Sequence, residues 1–149
     1  MGAFEDDDRV VTLFDIRVDD SHAGYIDAVN RGLQSVPDKT YLTQFGPVGS
    51  ERWWACYDRG ELPVKVLTGP VTFVGERVDM YDETEDVVEF VADGKPRVYG
   101  RADHWASVPI QVGDQLRITR TRVDMQTPTG PCRYLIDLQA QWLPGADEA

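Results

Sequence analysis

The chain holds two histidines, His22 and His104, too few for a histidine-rich metal site; a mixed site would need carboxylates to complete the ligand set. His22 closes the run Asp19-Asp20-Ser21-His22 at a predicted strand-to-helix junction, a place where ligand or catalytic groups collect. The same residue types also start helices, because a side-chain oxygen accepts from an orphan N–H and negative charge favours the helix N-terminus. Capping therefore explains the run without any function. In Asp103-His104-Trp105 an imidazole could be held in orientation. Adjacent residues of a strand point to opposite faces, however, so Asp103 is badly placed to support His104. Gly46-Pro47-Val48-Gly49-Ser50 lacks both the Gly-Lys-Ser/Thr ending of a phosphate-binding loop and the central serine of a nucleophile elbow. Cys56 and Cys132 belong to no Cys-x-x-Cys unit, so neither a zinc framework nor a disulfide scaffold is signalled, and Cys132 is expected in the core as a small hydrophobe. No metal and no cofactor is predicted. A small-ligand or enzymatic reading would rest on Asp20, His22 and His104.

Two further groups suit binding. Trp53, Trp54 and Tyr57, with Tyr41 and Phe45 upstream, form an aromatic-rich stretch. Read as a strand, it cannot turn both tryptophans to one core, which leaves one of them for an interface, a ligand mouth or the underside of a loop. Arg117, Arg120 and Arg122 make a local basic run in an acidic chain. Arginine beside aspartate on a strand suits bidentate pairing between subunits, and equally a solvated face. Trp53, Trp54, Arg117, Arg120 and Arg122 are thus the candidate interface residues.

The elements that must position these residues are mostly strands. From Cys132 to Trp142, apolar or aromatic residues alternate with Arg133, Asp137, Gln139 and Gln141, with only Leu135 out of pattern. A period of two sustained that long describes a strand with one buried and one wet face. Gln115 to Met125 precedes it, and Gln126-Thr127-Pro128-Thr129-Gly130-Pro131 supplies the turn of a long hairpin. Val10 to Val18 reads as a first strand. Tyr25, Ile26, Val29, Leu33 and Val36 then lie at helical spacing, Asp27 can pair with Arg31, and the helix should stop near Ser35, before Pro37. The runs Tyr41–Phe45, Arg52–Tyr57, Val64–Leu67, Val71–Tyr81, Val87–Val91 and Arg97–Gly100, broken by Gly, Pro and Asp, read as short strands. Asp93-Gly94 is the most persuasive internal turn. Parity changes at Gly75, and again between Ile118 and Val123, suggest bends. The predicted fold is mainly β (α+β): a small antiparallel barrel or sandwich with one packed N-terminal helix. It forms a single domain over residues 1–149, with an acidic, flexible N-terminal segment at 1–8 and a flexible tail at 144–149.

Charge narrows the partners. With 26 acidic and 15 basic residues the net charge is -11, which repels phosphate and disfavours sequence-specific nucleic-acid binding. There are 18 Asp against 8 Glu and 12 Arg against 3 Lys. Such a surface suits concentrated salt, where screening suppresses self-repulsion, but GC-rich codons would produce the same bias, and mimicry of DNA phosphates is a third source. The opening Met-Gly-Ala-Phe-Glu-Asp-Asp-Asp is no signal peptide, and no segment approaches the ~20 apolar residues of a membrane span. A protein of the cytoplasm or of a virus particle is expected.

The stretch Val108-Pro109-Ile110-Gln111-Val112-Gly113-Asp114-Gln115-Leu116-Arg117-Ile118, the turn Thr127–Gly130 and the closing Tyr134–Leu138 strand resemble the end of head-closure or head-tail connector proteins of tailed viruses. The resemblance covers about a third of the chain and implies a non-enzymatic ring subunit at the portal-tail junction, a homo-oligomer with neighbouring assembly proteins as partners. It implies no catalytic residue. The leading expectation is a structural or assembly protein acting through subunit interfaces. The alternatives are a ligand-binding or enzymatic barrel and an acidic inhibitor or immunity-type protein that blocks a basic partner.

Overall fold

The alternation from Cys132 to Trp142 is realised in a hairpin of two long strands. The computed structural model describes residues 8–78, 80–100, 105 and 108–145. In chain order the elements are β1 (Val11–Asp15), α1 (Ala23–Ser35), α2 (Thr40–Phe45), α3 (Glu51–Asp58), β2 (Val64–Val78), β3 (Thr84–Ala92), β4 (Lys95–Gly100), β5 (Gln115–Thr127) and β6 (Gly130–Leu143). The fold is mainly β, of α+β type, with antiparallel strands in the order β1-β6-β5-β2-β3-β4. β1 and β4 end that order, so the sheet does not close into a barrel.

Two compact units divide the chain: a sheet unit of Met1–Asp15, Val66–Thr119 and Gln139–Ala149, and a helical unit of Ile16–Lys65 and Arg120–Leu138. β5 and β6 contribute to both.

In the sheet unit, β2 and β3 pair from Val71↔Phe90 to Val78↔Thr84, and β3 pairs with β4 from Val87↔Gly100 to Ala92↔Lys95. Asp93 and Gly94 turn between β3 and β4 with φ of 56° and 71°, the left-handed pair that a two-residue hairpin requires. The irregularity expected at Gly75 lies earlier, between Val71 and Phe73, where the β2–β3 register shifts. Phe14, Leu67, Val71, Val88, Phe90, Trp105, Leu116, Ile118 and Ala140 are buried. Gly69 is required by close approach: a Cβ there would stand 1.6 Å from the Val91 carbonyl oxygen.

Asp114 fastens one end of this unit. Its buried carboxylate accepts from the Gln111 N–H (2.9 Å), the Trp142 indole N–H (2.9 Å) and the Gly145 N–H (2.6 Å). Gly113, at φ 99°, donates to the Val71 carbonyl, and the Val71 N–H donates to that of Asp114. The Val-Gly-Asp motif thus has a complete structural explanation: glycine turns the chain and aspartate collects its donors.

In the helical unit, α1 stops at Ser35, as its spacing predicts, with Val29 and Leu33 fully buried. Tyr25 is not part of that core; it is 43% exposed and its hydroxyl donates to the Leu135 carbonyl. Two segments expected as strands, Tyr41–Phe45 and Arg52–Tyr57, are helical, so the single predicted helix becomes three. The reason is local capping plus a shared core. Asp38 accepts from the Thr40 N–H and hydroxyl at the start of α2, and Ser50 accepts from the Trp53 N–H at the start of α3. Tyr41 and Phe45 are one helical turn apart, Trp53 and Cys56 likewise, and all four are buried. The buried face of β5 changes parity between Ile118 and Thr121, as predicted, and Thr121 donates its hydroxyl to the Pro63 carbonyl. Along β6, Ile136, Leu138, Ala140 and Trp142 are buried, whereas Cys132, expected in the core, is half-buried near the turn.

Candidate functional site

A cleft of about 440 Å³ opens in the helical unit where the β1–α1 connection meets α1 and α3. Asp19, Asp20 and Asp27 stand along it, with Val48, Gly49, Trp53 and Trp54 opposite. Hydrogen bonds tie together the elements around it. The Asn30 side chain grips Val48 twice, donating to its carbonyl (3.0 Å) and accepting from its N–H (2.8 Å), which ties the α2–α3 loop to α1. The Trp53 indole N–H donates to the Tyr41 hydroxyl at 3.0 Å inside the core. Burial holds the Tyr41 phenol above its ordinary pKa, so this oxygen remains protonated and neutral.

Arg17 closes one side. Its guanidinium lies 4.5 Å from the centroid of Trp54 and 5.1 Å from that of Tyr57, and it pairs with Asp58. The cleft offers carboxylate acceptors and an aromatic face over which a cation already lies. Among the described residues, no three His, Cys, Asp or Glu side chains are grouped so as to hold a metal.

The sequence-derived candidates are only partly brought together. Trp53 is buried in the core and Trp54 is half-buried on the cleft; they sit edge to face at 4.8 Å on one helix, so the strand argument that separated them does not apply. Asp20 lines the cleft. His22 is the half-buried residue before α1, with its carbonyl accepting from the Ile26 N–H, and it does not line the cleft. The cap of α1 expected among Asp19, Asp20 and Ser21 falls instead on His22, which makes no side-chain capping hydrogen bond, and Asp19 accepts from the Ser21 N–H. His104 lies outside the described residues.

The three arginines have partners within the chain. Arg117 donates to Gln141 (2.8 Å) in the sheet unit. In the helical unit Arg120 faces Asp137 at 3.4 Å and Arg122 binds Asp124 at 3.0 Å, where Arg133 also binds. Those two guanidinium groups, Arg133 first, hold the Asp124 carboxyl below its usual range. Arg122 and Asp124 border a second hollow, about 360 Å³, with Tyr41, Phe45 and Pro63. Sequence reasoning missed Arg17, which lines the cleft, and Asn30, which ties Val48 of its lining to α1. It singled out Tyr57, but the strand reading hid that this ring lies one helical turn after Trp53, beneath the Arg17 guanidinium.

Val18, on the first cleft, is 87% exposed. A group of exposed apolar side chains that borders neither hollow lies where β2 runs out toward β3: Val78 is 65% exposed, Met80 85% and Tyr81 76%. Every described residue from Glu76 to Asp86 is exposed. At the base of this ribbon Arg77 lies 4.2 Å from the Phe73 ring centroid and pairs with Glu89 at 2.6 Å. Arg77, and after it the Thr72 hydroxyl, keep the Glu89 carboxyl below its usual range. No helix among the described residues is long and apolar enough to cross a membrane. The sequence matches no protein-family model, and no curated protein is significantly similar to it.

Proposed function

We propose that the chain is a non-enzymatic assembly protein that works through subunit interfaces, with a head-tail connector or tail component of a virus particle as the specific reading. The observation that carries it is the β2–β3 ribbon, which leaves the sheet with both faces wet and exposes valine, methionine and tyrosine at its end. Isolated two-stranded ribbons are marginal in water, and large exposed apolar groups mark surfaces that are covered in use.

The test is fractionation of particles from the cells that make the chain, with the native mass of the purified protein measured at low and multimolar salt. Recovery with portal and tail proteins, or a ring-sized mass, is the expected result. A monomer at every salt concentration that never sediments with an assembly would defeat the proposal.

A further inference from the structure

We infer that the end of the β2–β3 ribbon is a docking arm for a basic protein different from this chain. The inference rests on the assembly reading and names the partner that the arm would meet. Glu76↔Asp86, Arg77↔Glu85 and Val78↔Thr84 pair in register, so the arm is an ordered ladder, and its base is fixed by the Arg77 contacts with Phe73 and Glu89. The arm places none of its described side chains in the core of the sheet unit.

Its surface chemistry selects the occupant. Met80 and Tyr81 are side chains that serve interfaces well, one adaptable and one a rigid ring with a polar end. The same arm exposes Glu76, Asp82, Glu83, Glu85 and Asp86, while Arg77 is engaged with Glu89. An apolar end on an acidic arm is complementary to an apolar hollow with a lysine or arginine rim. A second copy carries a net charge of -11 and would set like charge against like; nucleic acid has the same sign. The complementary occupant is a cationic protein.

The experiment places a photo-crosslinking residue at Met80 of the full chain in the cells that naturally make it, and in separate strains at the exposed positions Val18 and Val112. Crosslinking from position 80 to one basic protein is expected. That protein, purified, should bind the unmodified chain, and Met80→Ser with Tyr81→Ser should weaken binding about tenfold or more with the melting temperature unchanged. Glu83→Gln with Glu85→Gln should reduce both the affinity and its fall between roughly 0.1 and 0.5 M salt. Crosslinking from position 80 to another copy of the chain, or binding indifferent to these substitutions, overturns the inference. Crosslinks from Val18 or Val112 but none from position 80 overturn the arm and leave the assembly reading standing. No crosslink from any position, together with a monomeric mass, removes both.

Discussion

At the scale of single residues, the carboxylates that matter most to this fold are structural acceptors. Asp114 is buried and meets three N–H donors; Asp114→Ala strands all three, including the Trp142 indole. Unmet buried donors are costly, so a loss of about 2–4 kcal/mol in urea unfolding is expected, and a change within experimental error would refute the hub. Asp38 works by the same logic at the start of α2. The Thr40 hydroxyl, then the Gln126 N–H and the Thr40 N–H, lower its pKa. A depressed carboxyl contributes stability that is fully present above its unfolded pKa, about 3.9, and is lost as pH falls through its folded value. Unfolding midpoints followed from about pH 5 to 2 should therefore show an acid loss that is smaller in Asp38→Asn. Equal acid sensitivity in the two proteins would show that this carboxylate contributes nothing.

At the scale of elements, the strands and the helices differ in what secures them. β2 passes so close to β3 at Gly69 that the Val91 carbonyl oxygen occupies the place of a side chain. Gly69→Ala must displace backbone, and a destabilisation of about 1–3 kcal/mol is expected from denaturant melts, with wild-type stability as the contrary result. α3 is eight residues long, too short to persist by propensity alone, and holds through its cap and the burial of Trp53 and Cys56. Ser50→Ala removes the hydroxyl that accepts from the Trp53 N–H and should cost about 1 kcal/mol, with slower loss of Trp53 burial by fluorescence counting against the cap. α1 differs again. Its stripe of Ile26, Val29 and Leu33 is legible without any knowledge of the partner surface, although Tyr25 leaves it for a hydrogen bond to Leu135.

At the scale of the whole molecule, charge is the dominant property. A net charge of -11 stores self-repulsion that salt relieves, beyond the few ion pairs that salt weakens. Raising salt from roughly 0.1 to 2 M should stabilise the chain by about 1–2 kcal/mol, a rise of roughly 3–8 °C in Tm for a protein of this size. A flat response would remove concentrated salt as the source of the aspartate and arginine bias. The same screening bears on the proposed docking arm, whose binding to a basic protein should be strongest in dilute salt.

The sequence by itself determined the final hairpin, the span of α1, the Asp93-Gly94 turn and the change of buried face along β5. Each of these is written in local periodicity or local φ preference, which needs no distant partner to be read. Tertiary structure alone decided that Tyr41–Phe45 and Arg52–Tyr57 coil, that the sheet ends at β1 and β4, and that Arg17 lies over Trp54 and Tyr57. An apolar run of five or six residues satisfies a strand and a helix almost equally. What separates the two is the core it meets, and the Tyr41–Trp53 hydrogen bond belongs to residues that come together only when the chain has folded.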